Sequence, residues 1–150
     1  MNPADQADER AAEHHPTGTP SAHLYYRAGP ASGDQLAPIR RALTDWARGL
    51  GAAEDTVEAI ILATDEAMSN VISHAYPGRT GEFELRAGLA QESGRIEIVV
   101  RDHGRWQPPG APDPRHGRGL PLIRALAKQS SIDRTATGTT VRMSWPLAGN

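Results

Sequence analysis

The sequence predicts an α+β fold, a two-layer sandwich with helices on one face of a mixed, mostly antiparallel sheet. Apolar residues recur with the 3.6-residue period of helices over segments 36–50 and 55–75. Apolar and polar residues alternate over segments 83–89 and 96–100, as they do in strands with one buried face. Because each helix has a single apolar stripe, we expect the helices to cover one side of the sheet.

The size and charge of the chain exclude several classes of protein. Its 150 residues fit one domain with a real core. Residues 1–22 lack large aliphatic side chains after Met1, so we expect a flexible N-terminal tail before a domain at 23–150. The formal charge of -2 gives no reason to expect a nucleic acid or a membrane as partner, and no cysteine is present. No apolar run approaches the about 20 residues of a membrane span, and we expect a cytoplasmic protein.

The first elements are predicted by their patterns and by the residues at their ends. "HLYYRAG", residues 23–29, predicts a short strand that stops at Gly29-Pro30. Pro38 belongs in the first turn of the helix that follows, and Gly51 lies just past its end. The second helix ends before Pro77-Gly78, because the residue before a proline disfavours helix.

The second half of the chain predicts strands, a long loop and a short helix. "QESG", residues 91–94, is turn-like and joins the two alternating segments into a hairpin. Residues 103–118 contain four prolines and three glycines without periodicity, and a loop of that length is usually functional or disordered. Segment 119–129 predicts a third helix, and 130–134 and 139–145 predict the last strands. The side chains expected to face the core from the final strand are Val141, Met143 and Trp145.

"DEAMSNVISHAY", residues 65–76, places three polar side chains four residues apart on the second helix. Glu66, Asn70 and His74 therefore form one ridge beside the apolar stripe. On spacing alone, such a ridge is more often a solvated helix edge than a site. Asp65 points about 100° away from Glu66 and is the weaker candidate for acid–base chemistry.

Three further segments favour a functional site. Asp102 ends a strand and Gly104 follows, so a carboxylate and a close backbone approach lie together. Gly117 and Gly119 open the third helix, whose first N–H groups can bind an anion. Residues 101–128 carry six basic and two acidic side chains, and the sole lysine lies outside any P-loop motif. The "TGTTV" segment adds hydroxyls at the start of the last strand.

In this order, the motifs resemble the GHKL (Bergerat-fold) ATPase superfamily and, within it, the RsbW/SpoIIAB-like anti-sigma factor serine-protein kinases. The most specific pieces are "DEAMSNVISHAY", "GRGLPLIRALA" and "GTTV", and the resemblance covers about residues 23–147. It implies that Asn70 coordinates a Mg²⁺ that bridges the phosphates of ATP. Asp102 would accept a hydrogen bond from the adenine amino group, beside Gly104. Thr140, or its neighbour Thr139, would complete the adenine contact.

The resemblance also implies how phosphoryl transfer occurs. Gly117, Gly119 and Leu120 would donate backbone N–H groups to the phosphates, with loop 103–118 closing over them. Glu66 would be the general base that takes the proton from a substrate serine or from water. The role of His74 stays open between a phosphate contact and the end of the helix.

The implied function is an ATP-dependent kinase that binds a sigma factor and phosphorylates an anti-anti-sigma STAS-domain protein, usually as a homodimer. The arginines on the outer face of the first helix, Arg40, Arg41 and Arg48, are a candidate partner surface, although plain solubility is the slightly favoured explanation of them. Trp106 departs from the family pattern, which often has glycine there. The alternatives are a catalytically weak nucleotide-binding module that sequesters a regulator, a histidine kinase ATPase domain, and an α+β domain without a nucleotide site.

Overall fold

The computed structural model describes residues 25–76, 81–104 and 119–148, with backbone alone for 119 and 120. The predicted N-terminal tail and most of loop 103–118, including Trp106 and Gly117, lie outside these residues. The α-helices in the described part are α1 (Leu36–Gly49), α2 (Glu54–Asn70) and α3 (Gly119–Leu126), and a short 3-10 helix, Gly33–Gln35, precedes α1. The strands are β1 (Tyr25–Pro30), β2 (Glu82–Ala90), β3 (Arg95–Asp102), β4 (Gln129–Thr135) and β5 (Gly138–Pro146).

The five described strands form one sheet in the order β1-β2-β3-β5-β4, and all four pairings are antiparallel. Side chains alternate across it, so that one face is buried and the other is open to solvent. α2 packs against β3 and β5, and both α1 and α3 pack against α2. The predicted α+β sandwich with helices on one face of the sheet is confirmed.

The core lies between the helices and the inner face of the sheet. α1 buries Ile39, Leu43 and Ala47, which are spaced by four residues as one helical face requires. The predicted inner face of the last strand is also confirmed, because Val141, Met143 and Trp145 are all buried. From β2 and β3 the core receives a further set of side chains, Phe83, Leu85, Ala87, Ile96, Ile98 and Val100.

The turn between α1 and α2 follows the sequence signals. Gly51 has a φ of +86°, a left-handed conformation that glycine adopts without strain. Arg48 near the end of α1 pairs with Glu54 at the start of α2, and this hydrogen-bonded contact lowers the pKa of Glu54. Both side chains are exposed, so the pair orients the turn more than it stabilises the fold.

Two helix ends differ from the sequence prediction. α2 does not remain α-helical to residue 75, because Val71–Ala75 form a π turn directly after Asn70. α3 ends at Leu126, three residues early, since the backbone N–H of Lys128 donates to the carbonyl of Ser144 and Gln129 already pairs in β4. Strand pairing therefore overrides the helical pattern of 127–129.

No helix in the described ranges is long and apolar enough to cross a membrane.

Two tryptophans, Trp145 in the core and Trp46 packed against it, offer a test of how α3 is held. The indole Nε1–H of Trp145 donates to the carbonyl of Leu126 at 2.8 Å, whereas the buried Nε1 of Trp46 has no hydrogen-bond partner among the described residues. We expect Trp145→Phe to lower the free energy of unfolding by about 1 kcal/mol more than Trp46→Phe, because only the first removes a hydrogen bond. Urea denaturation of both variants measures the difference, and equal losses would contradict this anchor.

Candidate functional site

Two neighbouring carboxylates on α2 have different surroundings. Asp65 accepts two hydrogen bonds from the Arg40 guanidinium of α1, at 2.8 and 2.9 Å, and this raises the pKa of Arg40. Glu66 is half-buried, and within the described part of the chain it makes neither a hydrogen bond nor an ion pair. Asp65 is therefore committed to joining two helices, and Glu66 is available for chemistry.

Asn70 lies one helical turn beyond Glu66 and is also half-buried. Its side-chain amide makes no hydrogen bond to the described residues, so a carboxylate and an amide stand together with their polar atoms unused. α-Helical geometry ends at Asn70, and π turns of this kind occur often at functional sites. The wider turn rotates His74 away from the position that an uninterrupted α-helix would give it, and His74 makes an interaction of its own.

Asp102 is a charged residue on the core face of the sheet. It continues the buried alternation of β3 and is only 1% exposed. Burying a carboxylate is costly unless hydrogen bonds stabilise it. The backbone N–H groups of Gly104 and Thr139 both donate to its Oδ1, at 3.0 and 3.3 Å. A buried, oriented carboxylate at the end of a strand is suited to selecting a hydrogen-bond donor on a ligand.

Gly104 brings the exit of β3 against the end of the second helix. A Cβ built on Gly104 would lie 1.9 Å from the carbonyl oxygen of Ala75. Ala75 lies five residues after Asn70 in the same helical segment, about one π turn further along it. The segment that carries Asn70 and the segment that carries Asp102 therefore meet, as one shared site requires.

Of the two candidate threonines, only Thr139 lies on the same face as Asp102. Thr139 pairs with Asp102 across β3 and β5 and is 3% exposed. Thr140 pairs with Arg101 and projects to the opposite, outer face, as strand alternation requires. The adenine contact predicted for Thr140 or Thr139 is therefore geometrically possible for Thr139 and not for Thr140.

The start of α3 is described through its backbone. Gly119 and Leu120 are the first two helical residues, where N–H groups have no partner within the helix. Pro121 follows in the first turn, a position that tolerates proline. α3 packs on α2, the helix that carries Glu66 and Asn70. The predicted contact of Gly117 with phosphate lies outside the described residues.

The donors present fit a Mg²⁺ ion held mainly by phosphates and water. In the described ranges there is no cluster of three or more His, Cys, Asp or Glu side chains that could form a metal cage. Mg²⁺ bound to a nucleotide needs only one or two protein oxygens, and the unused amide of Asn70 can supply one. The metal role of Asn70 stays a prediction.

Two other surfaces bear on the sequence predictions. Of the three arginines on the outer face of α1, Arg40 and Arg48 are in ion pairs with α2. Arg41 is exposed and has no ion pair within the described residues, so it is the one of the three whose guanidinium is unpaired there. A groove of about 340 Å³ crosses the outer face of β3, β5 and β4, but it contains none of the predicted site residues.

Tyr76 and Gly81 were not predicted to serve the site. The Tyr76 hydroxyl donates to the carbonyl of Glu82 and accepts from the backbone N–H of His103, at 2.9 Å for the second bond. Gly81 packs under its ring, where a Cβ would lie 2.2 Å from ring carbons. The only signal in the sequence was the position of Tyr76 at the end of the polar motif, directly before Pro77.

Residues 29–145 match the family described as the histidine kinase-like ATPase domain. This match spans all the elements that form the site. The chain belongs to that ATPase family.

Its relatives include protein kinases. The serine-protein kinase RsbW of Bacillus licheniformis is 30% identical over 131 residues, which cover 77% of this chain and 80% of the relative. RsbW of Bacillus subtilis is 29% identical and covers 80% and 83% of the two chains. The solved RsbU and RsbW domains of a Mycobacterium tuberculosis protein superpose with a TM-score of 0.68 at 25% identity, over 83% of this chain and 32% of that longer one. These similarities support an ATP-binding serine-protein kinase of the RsbW type.

The contact of Gly104 with Ala75 can be tested by adding one methyl group. Gly104→Ala forces a Cβ into the Ala75 backbone, and we expect a loss of about 1–3 kcal/mol in the free energy of unfolding. Gly88→Ala is the matched control, because no atom lies within 4 Å of a Cβ built there on β2. Thermal and urea denaturation compare the two, and a Gly104→Ala variant as stable as the control would show that the segments are not in contact.

Proposed function

We propose that this protein is an anti-sigma factor with ATP-dependent serine-protein kinase activity, and that its phosphoryl acceptor is an anti-anti-sigma STAS-domain protein. The observation that carries the proposal is the meeting of two segments. The π turn that follows Asn70 lies against the exit of β3, where Ala75 contacts Gly104. This contact joins the helical segment that carries the unused Glu66 and Asn70 to the strand end that carries the buried Asp102. The similarity to RsbW kinases over most of both chains supports the reaction type.

In this proposal the nucleotide base is held at the sheet and its phosphates at the helices. Asp102 would accept from the adenine amino group, and its two backbone donors hold the carboxylate in one orientation. Gly104 and Thr139 would line the base on the same side. Gly119 and Leu120, together with Gly117, would donate backbone N–H groups to the phosphates.

Glu66 would act as the general base. Its carboxylate has no competing partner in the described part of the chain, so it can accept the proton of a serine hydroxyl as that oxygen attacks the γ-phosphoryl group. Asn70, one turn away, would hold Mg²⁺ through its amide oxygen. The ion, when bound, supplies positive charge that neutralises the phosphates. Asp65 cannot share the role of Glu66 while Arg40 holds both of its oxygens.

Partner switching, a homodimeric state and a cytoplasmic location complete the proposal. They rest on the resemblance to RsbW-type regulators. The exposed Arg41 on α1 is a residue through which a sigma factor or the STAS-domain protein could be bound.

The assignment of the base can be tested with two adjacent variants. Glu66→Gln should keep ATP affinity but slow phosphoryl transfer by about 100-fold or more, since it removes the proton acceptor. Asp65→Asn is the control, and it should retain transfer because Asp65 binds Arg40 and not the reacting atoms. The measurement is transfer from γ-labelled ATP to STAS-domain proteins of the same organism. Normal transfer by Glu66→Gln would refute the base.

The adenine role of Asp102 predicts a selective loss. In Asp102→Asn an amide N–H₂ can face the adenine amino group, so ATP affinity should fall about tenfold or more, while the weaker binding of GTP should change little. Asp133→Asn, on the exposed face of β4, is the control. Isothermal titration with each nucleotide and Mg²⁺ measures the affinities. Equal losses for ATP and GTP would show that Asp102 does not read the base.

A further inference from the structure

Tyr76 occupies the point where β2 and β3 stop pairing. The last pair in the register is Phe83 with Asp102, and the next would be Glu82 with His103. In its place, the Tyr76 hydroxyl accepts from the N–H of His103 and donates to the carbonyl of Glu82. One phenol oxygen thus bridges the backbone donor and acceptor at the end of the ladder.

The ring that carries this hydroxyl is held from below. A Cβ at Gly81 would lie 2.2 Å from three ring carbons, so only a residue without a side chain permits this ring position. Gly81 is itself held, since its carbonyl accepts from the N–H of Ala31 at 2.8 Å. The ring therefore rests on a backbone segment that is tied to the end of β1.

Ala75 and Tyr76, at the end of the second helical segment, contact two adjacent residues of the turn after β3. Ala75 packs its backbone against Gly104, and Tyr76 binds the N–H of His103. Asp102 is the last paired residue of β3 and directly precedes these contacts. Its Oδ1 accepts a hydrogen bond from the backbone N–H of Gly104. A shift of His103 or Gly104 would move a donor that orients the carboxylate.

We propose that Tyr76 is a positioning residue for nucleotide recognition: its hydroxyl fixes the backbone at 103–104 and so aims the Asp102 carboxylate at the base. This inference rests on the proposed function, because it assumes that Asp102 contacts adenine. Tyr76 itself need not touch the nucleotide. Loss of its hydroxyl should change the discrimination between adenine and guanine more than the binding of the phosphates.

The test removes the hydroxyl and keeps the ring. Tyr76→Phe should weaken ATP binding about two- to tenfold, which is what one misaligned hydrogen bond between Asp102 and the base would cost, and leave GTP binding unchanged, so that the ATP/GTP preference narrows. Tyr26→Phe is the matched control, since Tyr26 is 48% exposed on β1, away from this junction. Isothermal titration with ATP and GTP in Mg²⁺ compares wild type and both variants. Equal loss of both nucleotides, or no loss, would overturn the positioning role.

A second measurement needs no nucleotide. Amide hydrogen exchange of the nucleotide-free protein should be faster at His103 and Gly104 in Tyr76→Phe than in wild type or Tyr26→Phe. Gly81→Ala, which displaces the ring, should produce the same pattern at the two amides. Unchanged exchange in both variants overturns the inference.

The two measurements separate the inference from the proposed function. If wild-type protein binds neither nucleotide, the proposed function fails, and exchange at His103 and Gly104 alone decides whether Tyr76 holds the strand exit. If wild type prefers ATP and Tyr76→Phe does so equally, the proposed function stands and the positioning role is wrong.

Discussion

The site depends on one close contact, that between the α-carbon of Gly104 and the carbonyl group of Ala75. A Cβ built on Gly104 would lie only 1.9 Å from the Ala75 oxygen, so the two backbones approach more closely than a residue with a side chain would permit. Separately, Asn70 lies on a helix and Asp102 on a strand, and nothing local relates them. Because interiors are close-packed, a contact without a side chain between its partners determines their separation closely. Any displacement of the helix end therefore changes the distance between the two predicted ends of a nucleotide site.

At Asp102 the candidate site replaces a buried apolar side chain with a carboxylate. The inner face of β3 is otherwise aliphatic, and a carboxylate there contributes nothing to apolar burial. Its Oδ1 receives two backbone donors, one from its own turn and one from β5, so the charge is tolerated where two chain segments converge. Gly138 permits that convergence, since a Cβ there would lie 2.1 Å from the carbonyl oxygen of Asp102. Glycines on both sides of one buried carboxylate indicate a position built to hold it.

Most of the fold could be predicted from the sequence, because periodicity reports which face of an element is buried. The same rule predicts which face of the sheet some of the candidate site residues occupy. Alternation through Ile96, Ile98 and Val100 already puts Asp102 on the core face, and alternation from Val141 puts Thr139 there and Thr140 outside. The π turn after Asn70 and the bridge made by Tyr76 could not be predicted. The bridge joins Tyr76 to His103, which is 27 residues away, and no local pattern encodes such a contact.

The two carboxylates at the centre of α2 show how a neighbouring helix can assign chemistry. Asp65 and Glu66 are equivalent in type and adjacent in sequence, yet a helix directs them about 100° apart. Arg40 then takes up Asp65. The two side chains are 45% and 28% exposed, so the pair adds no more than about 1 kcal/mol to stability. Its main effect is to engage one of the two carboxylates and leave the other. Because Arg40 binds both oxygens of Asp65, Glu66 is the carboxylate of the two that has no partner among the described residues. Under the proposed function, α1 would thereby select Glu66 as the base.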